Sequence, residues 1–138
     1  MQGPHWYKIF YHCIPEKGEK TAMKNLLVIC GPTASGKTAL GVALALRHNG
    51  EIVSCDSRQV YRGMDIGTGK DLGAYRTHDG TVPYHLIDIV DPAEVYTVYR
   101  YQRDCYRTLR EIMGRKRLPV IVGGSGLYLE AVLRDYRI

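Results

Sequence analysis

Nowhere in the 138 residues does an apolar run approach the roughly 20 residues needed to span a bilayer; the longest lie around Leu26–Cys30 and Pro119–Val122. The chain is therefore not expected to cross a membrane. The first 22 residues contain Trp6, Phe10 and Ile14 but no continuous apolar stretch and no small-residue cleavage site, which argues against a secretory signal. The four cysteines (Cys13, Cys30, Cys55, Cys105) form no CxxC pair, and two of them sit inside or beside apolar runs, where a free thiol packs as a small hydrophobe. A reducing, cytoplasmic setting is expected. Internal repeats and low-complexity segments are also lacking. What is present, 45% hydrophobic and 24% charged residues, is the composition of a globular domain and excludes disordered, collagenous and disulfide-scaffold classes. The length fits one core.

The net charge of +5 comes from 19 Lys and Arg against 14 Asp and Glu. It is concentrated in residues 100–117, which hold Arg100, Arg103, Arg107, Arg110, Arg115, Lys116 and Arg117 against Asp104 and Glu111, while the rest of the chain balances. Val98, Tyr101, Cys105, Leu109 and Ile112 recur at helical spacing, so this stretch reads as an amphipathic helix with Thr97 as its N-cap. Arg100, Arg103, Arg107 and Arg110 then lie along one side. That row suits an acidic partner such as nucleic acid, or is an ordinary solvated face.

Asn25–Cys30, Glu51–Ser54, Leu86–Val90 and Leu118–Val122 are strand candidates. Between the first two, Lys37–Arg47 carries good helix formers and stops at Asn49-Gly50, a helix-ending signature. Strand, glycine loop, helix and strand make a βαβ unit, and apolar strands alternating with helices point to a parallel sheet covered on both faces. Leu127–Leu133 reads as a short final helix. Gly63–Val82, rich in Gly, Asp and Thr, reads as a long loop over the ligand edge. Residues 1–22 show no helix or strand period and are expected to be a flexible extension or a translation-start artefact, leaving residues 23–138 as the core.

Gly31-Pro32-Thr33-Ala34-Ser35-Gly36-Lys37-Thr38 matches GxxxxGK[ST] in full, between an expected strand and an expected helix. Glycines at both ends let successive N–H groups turn inward around a phosphate, and the helix that follows presents its positive end. Lys37 would reach the terminal phosphate, and the Thr38 hydroxyl would ligate Mg²⁺. The motif identifies a bound diphosphate or triphosphate; kinase, NTPase and diphosphate-releasing transferase all remain open.

The second strand runs into Ser54-Cys55-Asp56-Ser57-Arg58-Gln59, and ligands of open α/β sheets bind beyond the carboxyl ends of the strands. Asp56 could act there as a general base, hold Mg²⁺ through water, or cap a short helix after Ser57. The run from Asp56 to Gln59, with Val60-Tyr61-Arg62, offers donors and acceptors suited to a base edge. Asp88 and Asp91 could form a second metal-binding pair, but Asp91-Pro92 reads more simply as the start of a turn.

Four blocks, GPTASGKTAL (31–40), DSRQVYRGMDIGTGK (56–70), PYHLIDIVDP (83–92) and LPVIVGGSGLYLEAVL (118–133), resemble in order the tRNA dimethylallyltransferases, also called tRNA isopentenyltransferases. The resemblance spans nearly everything from Asn25 to Leu133. It implies a P-loop NTPase-like (kinase-like) α/β fold, a parallel sheet with helices on both faces, whose loop holds the diphosphate of dimethylallyl diphosphate. The implied acceptor is the exocyclic N6 amine of the adenosine just 3′ of the anticodon, presented by the tRNA anticodon arm. Carried over by residue, Thr33 to Thr38 would bind diphosphate, Thr38 would assist Mg²⁺, and Asp56 would take the amine proton. Asp56, Ser57, Arg58 and Gln59 would contact the flipped-out adenosine, and Ser125, where family members usually carry Thr, would touch the tRNA as well. Family members continue beyond the equivalent of Ile138 with a helical insertion that grips the anticodon arm, so the chain resembles an N-terminal part, incomplete at the C-terminus, expected to bind diphosphate but to modify tRNA poorly or not at all by itself; a monomer is expected. The rival readings are an adenylate isopentenyltransferase, a small P-loop kinase using ATP, and a binding remnant without turnover.

Overall fold

The computed structural model describes residues 8–15, 23–31, 36–63 and 72–134. Its elements, in chain order, are β1 (Lys8–Pro15), β2 (Met23–Cys30), α1 (Lys37–Arg47), β3 (Gly50–Cys55), a 3₁₀ turn (Leu72–Tyr75), β4 (Arg76–Thr77), β5 (Gly80–Thr81), β6 (Tyr84–His85), α2 (Val98–Gly114), β7 (Leu118–Gly123) and α3 (Gly126–Arg134). The main sheet has the order β1-β2-β7-β3-β6; β2, β7, β3 and β6 run parallel, and β1 adds antiparallel at one edge. A two-stranded hairpin, β4-β5, stands apart.

The alternation of side chains along a strand divides the core in two. Leu27 and Ile29 of β2, Ile52 of β3, and Val120 and Val122 of β7 pack with Val42 and Ala45 of α1 on one face. Leu26, Val28, Val53, Cys55 and Ile121 point the other way, into Tyr101, Cys105, Leu109 and Ile112 of α2 and Val132 of α3. Both faces are thus covered by helices, as the apolar strands imply. The Thr97 hydroxyl accepts the Arg100 N–H at 3.1 Å and caps α2, and α1 ends at His48 with Asn49 in the left-handed region (φ 56°). Both helix boundaries agree with the sequence reading.

Three expectations change. Over Lys8–Pro15 the structure differs from a flexible extension: this segment pairs residue for residue with β2 from Lys8↔Cys30 to Pro15↔Met23. Its Ile, Phe and Tyr favour a strand only when a neighbour offers a free edge, a condition that local periodicity does not register. The remainder of residues 1–22 lies outside the described residues. Secondly, Leu86–Val90 is not a strand. Leu86 and Asp88 have positive φ (67° and 58°), the parallel strand is the shorter Tyr84–His85, and the following backbone bonds to 59–60 through Asp88 N–H to Gln59 O and Ile89 N–H to Val60 O. Leu86, Ile87 and Val90 are apolar because a buried loop carries them. Lastly, the described part of the expected long loop, from residue 72, folds as the 3₁₀ turn and the β4-β5 hairpin against α1.

Candidate phosphate and acceptor site at the strand ends

Three parallel strands finish side by side. β7 lies between β2 and β3, and the Gly31 N–H donates to Gly123 O at 3.2 Å while the Ser125 N–H donates to Cys55 O at 3.2 Å. Gly123 and Cys55 are register partners, and a Cβ at Gly123 would collide with the Cys55 carbonyl. Only glycine lets the two backbones meet so closely here. The strand order reverses at β7, which opens the crevice where α/β sheets hold their ligands.

Gly36 precedes α1 in the left-handed region (φ 86°) and its carbonyl accepts the Leu40 N–H at 3.2 Å. This conformation turns the chain into the helix and is open to glycine at no steric penalty. Lys37 is the first helical residue and is 8% exposed. Burial lowers the pKa of its ammonium, and the nearby Asp56 carboxylate works against that shift. Thr38 is half-buried beside it. Pro32, Thr33, Ala34 and Ser35 lie outside the described residues.

Asp56 follows the last residue of β3 and is 7% exposed. Its Oδ1 accepts the Arg58 N–H at 2.8 Å and the Gln59 N–H at 3.4 Å, and the Arg58 Nε stands 3.8 Å away. The Asp56 carboxylate therefore closes a turn, though no helix follows Ser57. Among the described residues these bonds fall on Oδ1 and none falls on Oδ2, so one carboxylate oxygen holds the turn. Ser125 clips the same turn from the β7 side: its Oγ accepts the Ser57 N–H at 2.8 Å, and its carbonyl accepts the Cys55 thiol at 3.7 Å. The Ser54 hydroxyl donates to Gln59 Oε1 at 3.3 Å. Lys37, Thr38, Asp56, Ser57, Arg58, Gln59 and Ser125 are thus gathered at one sheet end, from sequence separations of up to about ninety residues.

The donor for a cation here is an oxygen, the Thr38 hydroxyl, with ligand phosphate and water oxygens to complete the set. That is the hard donor set Mg²⁺ takes. Asp91 opens a turn, its Oδ1 accepting the Ala93 N–H at 2.9 Å, and the described residues contain no cluster of three His, Cys, Asp or Glu able to hold a metal.

The sequence reading passed over the layer beneath the site. Tyr101, fully buried, donates its hydroxyl to the Ser54 carbonyl at 2.8 Å and stacks on Tyr128 with ring centroids 4.3 Å apart. Burial pushes the Cys55 thiol up to about 12, which keeps it an inert packing group. Tyr96 donates to Asp104 Oδ2 at 2.7 Å within the same layer. A tyrosine at an apolar helical position looks like any core residue until its partner carbonyl is known. At the opposite pole, Glu51 is 2% exposed; Arg115 grips both its oxygens at 2.7 and 3.0 Å, His85 Nε2 lies 2.7 Å from Oε1, and Arg117 Nε lies 3.5 Å from Oε2. Two bases of the basic stretch are therefore engaged in a structural clamp and lie beyond the helix proper.

The fold and this site define an α/β protein of the P-loop-like kind, with the glycine-led start of α1 and the Asp56 carboxylate both at the carboxyl end of the parallel sheet. The family described as IPP transferase matches residues 59–138, and that described as Isopentenyl transferase matches residues 24–79. The chain belongs to the IPP transferase family. Among curated relatives it is 65% identical over 113 residues to tRNA dimethylallyltransferase 1 of Geotalea uraniireducens, covering 82% of this chain and 36% of the relative. It is 58% identical over 114 residues to tRNA dimethylallyltransferase of Treponema pallidum, covering 83% and 35%. Among solved structures, the full-length tRNA isopentenylpyrophosphate transferase of Bacillus halodurans superimposes with a TM-score of 0.69 at 50% identity, over 80% of this chain and 35% of that one. A eukaryotic dimethylallyltransferase acting on tRNA gives a TM-score of 0.71 at 34% identity, over 80% and 27%. The chain thus spans just over a third of the length of the curated relatives it matches. Among the described residues no helix is long and apolar enough to cross a membrane.

Proposed function

We propose that this chain carries the donor-binding and proton-accepting core of a prenyl transfer from dimethylallyl diphosphate to the exocyclic N6 amine of the adenosine 3′ of the anticodon in tRNA. The observation that carries the reading is the placement of a buried Lys37 and an Asp56 with one uncommitted oxygen beyond the carboxyl ends of β2 and β3, the two strands that flank β7. The resemblance to tRNA dimethylallyltransferases supports the choice of substrates.

In this scheme the loop from Gly31 to Thr38 holds the diphosphate, with Lys37 set against the oxygens that gain charge. The allylic C–O bond breaks as the C–N bond to the amine forms, diphosphate departs with the electron pair, and one amine proton passes to Asp56. Fixed donors aimed at the departing diphosphate act where charge develops, which is the effective place for them. Asp56 makes the poor amine nucleophile usable as its proton leaves. The turn from Asp56 to Gln59, held by Ser125, receives the base, and pocket contacts offset the few kcal/mol of unstacking. Thr38 would hold Mg²⁺, which supplies charge neutralisation of the diphosphate when bound.

Calorimetric titration of the purified chain with dimethylallyl diphosphate and, separately, ATP, each with Mg²⁺, tests this. Binding that prefers dimethylallyl diphosphate and disappears in Lys37→Ala is expected. A preference for ATP would replace the transferase with a kinase, and product formed on AMP in place of RNA would make it an adenylate isopentenyltransferase.

A further inference from the structure

The arginine row of α2 is left unused by the chemistry above. On a helix of 3.6 residues per turn, Arg100, Arg103, Arg107 and Arg110 fall within about 80° of arc, opposite the buried Tyr101, Cys105, Leu109 and Ile112. That buried face locks the rotation of the helix, so the row cannot turn away from solvent. Arg103, Arg107 and Arg110 are exposed, and Tyr99, 69% exposed, stands at the head of the same face. Arg100 is tied to Glu94 at 3.2 Å and lies over the Tyr96 ring at 5.1 Å, and Arg107 reaches Asp104 Oδ1 at 3.2 Å. Arg103 and Arg110 have no partner among the described residues, and Glu111 is the one other acid on this face.

The direction of α2 gives the row its meaning. Tyr101, in its first turn, bonds to Ser54 at the site end of β3, whereas Arg115, just past its last turn, bonds to Glu51 at the start of β3. The helix therefore runs antiparallel to β3, with its head at the rim of the site and its tail at the far pole. From Arg100 to Arg110 the row covers about 15 Å at 1.5 Å per residue. Phosphates recur every few ångströms along a nucleic-acid strand, so the row spans several of them. An exposed tyrosine beside guanidinium groups at the rim adds a surface on which a base can stack.

We infer that the exposed face of α2, from Tyr99 to Arg110, is a track for the phosphate backbone of the structured RNA whose nucleotide enters the strand-end site. The inference rests on the tRNA reading of that site and extends it to a surface outside the pocket. A regular row that starts at the site rim favours a repeating polyanion continuous with the substrate over an acidic protein docked independently.

The test compares the 138-residue chain with two charge-matched double variants, Arg103→Gln/Arg110→Gln on α2 and Arg47→Gln/Arg76→Gln on the α1 side of the sheet. Binding of a fluorescent synthetic anticodon stem-loop RNA is followed by anisotropy as a function of salt, with poly-glutamate as competitor, and dimethylallyl diphosphate is titrated into the same samples. The α2 variant should bind the RNA roughly tenfold more weakly at about 50 mM salt and show a log–log salt slope shallower by about 1.5. The control variant should keep the wild-type slope, and all three proteins should keep their donor affinity. Equal weakening in both variants, an unchanged α2 variant, displacement of the RNA by poly-glutamate at equal charge, or no RNA binding by the wild-type chain would each overturn the track. Failure of the donor titration with the RNA result intact would instead count against the transferase reading.

Discussion

Asp56 is asked both to close a turn and to take a proton, and the pair of variants Asp56→Asn and Asp56→Ala separates the two. Asn keeps an Oδ1 that accepts from the Arg58 and Gln59 N–H groups, now at 2.8 and 3.4 Å, but has no carboxylate to receive a proton. Ala loses the acceptor as well. Both lose the countercharge to Lys37, so that contribution cancels in the comparison and the difference isolates the cap. A hydrogen bond of this kind contributes about 0.5 to 1.5 kcal/mol net, and more when the acceptor is charged. One of the two bonds here is long and Gln59 is half-buried, so water recovers part of it; Asp56→Ala should fall about 1 kcal/mol below Asp56→Asn. Urea unfolding at constant slope measures that gap. Prenyl transfer to RNA should drop by about 10² to 10⁴ in both, the usual worth of a positioned general base, while dimethylallyl diphosphate still binds. Equal stabilities for the two variants would refute the cap. Transfer by Asp56→Asn within a few-fold of wild type would refute the base.

At the far pole, Arg115→Met should cost about 2 to 3 kcal/mol in urea midpoint because it leaves a buried carboxylate short of two charge-assisted bonds, whereas Glu51→Gln should cost about 1, since its cations are part-exposed and rehydrate; the reverse order would sink this account. Burial by itself would raise the Glu51 pKa, but the hydrogen bonds from Arg115 and His85 outweigh it and hold the carboxyl below its ordinary value. The stability it supplies is therefore complete above the unfolded pKa of about 4.3 and lost as pH falls through the depressed folded value; an acid-unfolding profile should be flatter in Glu51→Gln. Tyr101→Phe leaves the buried Ser54 carbonyl without its side-chain donor and should cost about 1 to 2 kcal/mol in thermal or urea unfolding, with donor binding retained if the site end of β3 keeps its place. Gly123→Ala must push β7 from β3 at the Cys55 carbonyl, so both stability and dimethylallyl diphosphate binding should fail together; a stable variant with normal binding would contradict the close approach.

Much of the local structure was legible in the residues. Lys37–Arg47 and Val98–Gly114 emerge from periodicity and end signals because a helix closes its hydrogen bonds within itself; α1 ends just before Asn49-Gly50 and α2 begins just after its cap Thr97, as the residues suggest. Strands are less legible. Leu86–Val90 has a strand's composition but a loop's backbone, and Lys8–Pro15 forms a strand without a readable period, since pairing depends on a distant neighbour. The phosphate motif and Asp56 were visible as residue types at fixed spacing. The division of Asp56 between its two oxygens was not, because it depends on where the 57–59 turn and Ser125 sit.

The sequence by itself determined the chemistry available to this protein: a glycine-bounded loop with Lys37 and Thr38, a carboxylate at the next strand end, and an arginine row on one helical face. These follow from local spacing, which covalent geometry transmits directly. Only the tertiary structure decided that β7 inserts between β2 and β3, that Ser125 reaches Ser57, that Tyr101 props Ser54 from below, and that Glu51 takes Arg115 and Arg117 out of the basic stretch. Each of these joins residues about fifty to ninety positions apart, and contacts at that range are set by how two packed faces of a sheet close around one core, which no window of the chain contains.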